Sequence, residues 1–153
     1  MYSREQTKKL REQFWTRYGQ YMSVVPSADG SPVNWVNYKT GLKYLSFRME
    51  ANQGTARISI DISHPDAGIR KLLFDQLLQY RSIFHETLAE EWEWQEELSD
   101  DYGKKLSRVE ISISNVSVFN MADWPTLISF FKPRIIALDS FWATAQYGFE
   151  MFK

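Results

Sequence analysis

The sequence predicts an α+β domain: a mixed or mostly antiparallel sheet packed by helices, in the order helix, three strands, helix, two strands, helix. Three observations carry that prediction. Residues 55–63 alternate strictly, with Ala56, Ile58, Ile60 and Ile62 on one side and Arg57, Ser59, Asp61 and Ser63 on the other, as a strand in a sheet buried on one face must. Asp123 to Phe152 is the most apolar long stretch, and its apolar positions 124, 127, 128, 131, 135, 138, 141, 142, 145 and 149 recur at helical spacing. Most connections between strand patterns suit hairpins; only the one through the middle helix is long enough for a parallel crossover. The 153 residues fit one domain, 1–153, large enough to bury a core without cross-links.

The elements follow in order. Ser3 to Gln6 has the capping-box pattern, and Leu10, Phe14, Tyr18, Tyr21 and Met22 follow with helical spacing. They predict an amphipathic helix over 4–22. Its other face carries Arg4, Lys8, Lys9, Arg11 and Arg17; it is either a contact for phosphate or an acidic partner, or a solvated face diluted by Glu5 and Glu12, the plainer reading. Ser23 to Pro32 is rich in turn formers and predicts a loop. Strands are predicted over Asn34–Tyr38, Lys43–Met49 and Thr55–Ser63, with turns at Lys39–Leu42 and Asn52–Gly54.

Ser63-His64-Pro65-Asp66 predicts a second capping box with proline in the first turn. One helix follows, with Ile69, Leu72, Leu73, Leu77, Tyr80, Phe84 and Leu88 on one face. Glu86 to Asp101 holds eight acidic residues and no Lys or Arg. Within it Glu91–Gln95 alternates Trp inward and acid outward, a row that repels phosphate and protects an edge strand from stray pairing. Leu106–Ile113 predicts the last strand, and Asn115–Met121 a link. Asp123 is placed to cap the final helix and Pro125 to sit in its first turn. Pro133 cannot donate to the Ser129 carbonyl, which predicts a kink or a split there.

Composition bounds the function classes. Apolar residues make up 44%, charged residues 24%, and the net charge is −1, so no global field draws the chain to nucleic acid or an anionic membrane. Lys132, Arg134 and Asp139 interrupt the apolar stretch and argue against a membrane span. Without cysteine there is no disulfide, thiolate metal site or Cys nucleophile. The N-terminus lacks a signal-peptide pattern, so a cytoplasmic location is expected. No phosphate loop, nucleophile elbow or dinucleotide fingerprint occurs. No cofactor and no metal are assigned.

Two constellations remain. Tyr44, Arg48, Arg57 and Asp61 fall on the polar side of the strands and can form a small ligand-binding face, or simply its wet side. Asp61, His64 and Asp66 cluster at a strand end, which suits a general base or metal, or a capping turn whose polar groups bond the backbone. Asp61 and His64 are the candidate catalytic residues; neither His64 nor His85 has a partner at metal spacing. Helix, three strands, helix, strand is also the core order of the PD-(D/E)XK nucleases. On that comparison Asp61 and Glu50 would hold the metal, but Ser63 stands where the motif needs Lys.

Phe14-Trp15, the run Asn34-Trp35-Val36-Asn37-Tyr38-Lys39, the run Ile58 to Pro65 and above all Asp123-Trp124-Pro125 through Asp139 resemble the DUF4268 family of domains of unknown function. The similarity spans nearly the whole chain, and the last motif is the most specific. The resemblance implies no catalytic residue. In some family members the domain follows a nuclease-like domain, which implies an accessory role in nucleic-acid processing or defence. The expectation is therefore a binding or accessory module rather than an enzyme, partnered by protein, nucleic acid or a second copy of itself. A divergent metal-dependent nuclease is the alternative.

Overall fold

The structure, a computed structural model, describes residues 2–153. At its centre lie β1 (Leu45–Ala51), β2 (Gln53–Ile62), β3 (Glu93–Ser99) and β4 (Lys105–Ser117), in the spatial order β1-β2-β4-β3. Every neighbouring pair is antiparallel. β2 and β3 therefore run the same way with β4 inserted between them. The connection joining them carries α2 (Ala67–Leu78) and α3 (Arg81–Leu88). α1 (Arg4–Met22) precedes the sheet, and α4 (Trp124–Ala145) follows it and continues as a 3₁₀ segment over Gln146–Phe152.

The α+β class and the antiparallel sheet follow from the alternation. Ala56, Ile58, Ile60 and Ile62 are almost fully buried on one face of β2, each isoleucine contributing about 1.5–3 kcal/mol of burial. α4 meets that face with Leu127, Phe131, Ile135, Leu138 and Phe141. α1 completes the layer through Phe14 and Tyr18, whose rings pack on Phe131.

Local chemistry decides the points where the elements differ from the sequence reading. Asn34–Tyr38 forms no strand. The Asn34 carboxamide accepts from the N–H groups of Val36 at 3.2 Å and Asn37 at 3.1 Å, a local bond that competes with a ladder. The middle helix breaks in two at Gln79–Tyr80. There Tyr80 leaves helical geometry and stacks on Phe149 at 6.0 Å. Gly148 makes this approach possible, since a β-carbon there would lie 1.8 Å from the Tyr80 hydroxyl. The cap of α2 is Asp66, accepting from Ile69 N–H at 3.0 Å, rather than Ser63.

Pro133 does not split α4, which runs unbroken from Trp124 to Ala145. Arg134 braces that turn, donating to the Phe130 carbonyl at 2.9 Å and forking onto Glu90 at 2.8 and 3.0 Å. Asp123 starts α4 without a side-chain capping bond. Its carboxylate instead accepts from Ser117 N–H at 2.9 Å and ties the helix to the end of β4. Among the described residues no helix is long and apolar enough to cross a membrane.

Candidate functional site

The second face of the sheet carries the polar half of each alternation. The register sets the side chains in rows. Ser46, Asp61, Arg108 and Gln95 form one row; Arg48, Ser59, Glu110 and Glu93 the next; Glu50, Arg57 and Ser112 the third. The β1–β2 hairpin turns tightly, with Asn52 N–H on the Thr55 carbonyl at 2.9 Å and Gly54 at φ +91°. Arg48 consequently faces Ser59, and Arg57 faces Glu50. Tyr44 lies across from Ser63, to which it is bonded through its carbonyl.

The rows are knit by ion pairs. Arg108 donates to both oxygens of Asp61, at 2.8 Å from Nε and 3.0 Å from Nη2, and Ser59 adds a bond at 2.8 Å. Arg57 pairs with Glu50. Arg48 Nε stands 3.9 Å from both Glu50 and Asp61, and Arg108 Nη1 stands 3.9 Å from Glu110. Burial works against the Arg108 charge, but Asp61 more than restores it and leaves the guanidinium pKa above its ordinary value. Burial pushes the Glu110 carboxyl up, and Glu93, directly opposite across β3–β4, adds to the rise. Like charges so placed are unfavourable.

The β3–β4 turn leans over this face. Asp100 holds it by accepting from the N–H groups of Tyr102 at 2.9 Å and Lys104 at 2.8 Å. The result is a depression of about 690 Å³ between the turn and the strands, lined by Arg48, Glu50, Arg57, Asp61, Gln95, Tyr102, Lys104, Arg108 and Glu110 among others. Two of its lining residues carry a buried polar atom without a hydrogen-bond partner: Arg57 Nε and Gln95 Oε1. Tyr102, at its rim, is 95% exposed.

Of the sequence candidates, Arg48, Arg57 and Asp61 thus converge, together with Glu50. Tyr44 and His64 do not line the depression. Their rings pack against each other at 4.4 Å. His64 Nδ1 accepts from Asp66 N–H at 3.0 Å, and its carbonyl accepts from Arg70, the capping-turn arrangement. Among the described residues no three His, Asp or Glu side chains come together as a metal site, and Asp61 and Glu50 are each engaged by arginine.

Sequence reasoning missed a second polar point. Asp139, on α4, is buried and accepts from Tyr38 Oη at 2.5 Å and Ala28 N–H at 2.7 Å. It fastens the Ser23–Pro32 loop to the core beside a smaller depression of about 290 Å³. Burial first, then the Asp139 carboxylate, pushes the Tyr38 hydroxyl pKa up. In the same loop Asp29, held by Ser27 and Ser31, is lowered to about 2. An Asp at helical spacing within an apolar stripe was the available signal.

Residues 10–146 match the model of the family described as Domain of unknown function (DUF4268), and the chain belongs to that family. No curated protein and no solved structure matches it.

Proposed function

We propose that this DUF4268 domain is a binding module, and that it binds through the polar face of its sheet. The observation that carries the reading is the depression under the β3–β4 turn. Its floor is fixed by the Asp61–Arg108 and Glu50–Arg57 pairs, while Arg48, with its side chain 58% exposed, is free to meet a ligand. Pre-formed concave surfaces are where ligands are usually recognised, and this one is lined mainly by charged and polar side chains. The same pairing weighs against catalysis: a carboxylate clamped in a two-point guanidinium fork is poorly placed to accept a proton or hold a metal. An accessory role beside nucleic-acid-processing partners is compatible with the module, and its ligand is then a group on such a partner.

A thermal-shift panel tests the reading. Nucleotides, short oligonucleotides, amino acids and small carboxylic acids are screened against the wild-type chain and Arg48→Ala. At least one class should raise the wild-type unfolding midpoint and leave the variant unmoved. Equal shifts in both proteins, or no shift in either, would contradict it.

A further inference from the structure

We infer that the group received by this face is a single carboxylate, held between the guanidinium groups of Arg48 and Arg57; the inference rests on the binding-module reading above.

The first support is an inventory of donors and acceptors. Each guanidinium carries five N–H donors. Asp61 already accepts three bonds, two from Arg108 and one from Ser59. Arg57 donates once, to Glu50, and its Nε is left unpaired. Arg48 stands 3.9 Å from two carboxylates, too far for a hydrogen bond. The ion pairs of the floor therefore leave N–H groups of Arg48 and Arg57 without a carboxylate partner, and an added oxyanion can take them up.

The second support is placement. Arg48 and Arg57 approach the two oxygens of the same Glu50 carboxylate, Arg48 near Oε1 and Arg57 at Oε2. Two forks that meet over one carboxylate are close enough to share a second, and planar two-oxygen recognition is what paired guanidinium groups do well.

The third support is charge. Three arginines face three carboxylates, Glu50, Asp61 and Glu110, so the floor is balanced in charge, with Lys104 at the rim. The rim also carries Asp100 and Asp101, and the β3 edge carries Glu93, Glu96 and Glu97. A polyphosphate chain extended over the face meets those acids; a compact monoanion does not. The carboxylate comes either from a partner protein's chain end or from a free small acid.

Isothermal titration calorimetry in low-chloride buffer separates these cases, using N-acetylglycine, its amide, acetate, inorganic phosphate and a short thymidine oligonucleotide. N-acetylglycine is expected to bind saturably, with the amide about tenfold weaker and Arg48→Gln weakening the acid about tenfold. Arg48→Lys should recover only part, because it keeps the charge and loses the fork. N-acetylglycine binding more tightly than acetate points to a peptide end; equal binding points to a free acid. Phosphate or the oligonucleotide binding more tightly than any carboxylate, with loss in Arg48→Gln, would overturn the ligand class and leave the binding face standing. If no probe binds, or Arg48→Gln changes nothing while its unfolding midpoint matches the wild type, both fail.

Discussion

Arg108 and Asp61 sit directly opposite each other on β4 and β2 and close a two-point fork at 2.8 and 3.0 Å. Both side chains are nearly buried, at 10% and 7% exposed, on the face of the sheet that the helices do not cover. Removing one partner strands a charge that has lost most of its water. Asp61→Ala is therefore expected to lose about 3–5 kcal/mol, read from urea unfolding. Arg108→Met with Asp61→Leu should recover much of the loss, since an apolar pair of similar volume has no charge to desolvate. A single-variant cost below about 1 kcal/mol would mean that the pair is solvated.

Glu110 gives the stability a distinct pH dependence. Burial holds its carboxyl above the ordinary range, so the folded chain binds the proton more tightly than the unfolded chain. Ionisation then costs folding free energy. The cost is absent below the unfolded value of about 4.3, grows as pH rises, and is complete above the folded value. Glu110→Gln should consequently unfold at a higher temperature than the wild type at pH 7, with the gap closing below about pH 4. Calorimetric scans across that range check the sign.

Asp139 makes a prediction for the Ser23–Pro32 loop. Asp139→Ala leaves Tyr38 Oη and Ala28 N–H without their acceptor, at a cost of about 0.5–1.5 kcal/mol for each of these partly buried hydrogen bonds. Amide hydrogen exchange should rise at Ala28 and its neighbours while β2 stays protected. Uniform loss of protection would mean that the loop and core open together.

Arg134 and Glu90 join α4 to the α3–β3 connection at 2.8 and 3.0 Å, where Glu90 also accepts from the Trp92 indole at 2.9 Å. Arg134→Lys keeps the charge but loses the fork, and is expected to lower stability by about 1–2 kcal/mol. Intrinsic fluorescence of Trp92 should shift with it.

Much of the fold was legible because it depends on local pattern. The alternation of Ala56 to Ile62 named both faces of β2, and the spacing from Trp124 to Phe149 named the long helix. Asn34–Tyr38 was misread because β-formers such as Trp35 and Tyr38 outweighed a side-chain bond that only the folded loop reveals. Arg48 and Arg57 do lie on one face, but the register that sets Arg48 opposite Ser59 and Arg57 opposite Glu50 depends on how the turn closes. Arg108 was invisible as a site residue, and Asp139 showed only as an acid within an apolar helical stripe. Their partners lie 47, 101 and 111 positions away in the chain, and no spacing rule reaches that far. His64 drew attention as a rare titratable residue, yet its ring serves the turn before α2.

The central claim is that the polar sheet face is the recognition surface, and a two-dimensional NMR titration tests it most directly. Backbone amides and the arginine Nε–H groups are followed while N-acetylglycine is added. The account predicts saturable shifts at Arg48, Arg57 and the Tyr102 turn, with α1 and α4 unmoved. Saturable shifts confined to the helices, or to the Asp139 depression, would contradict it.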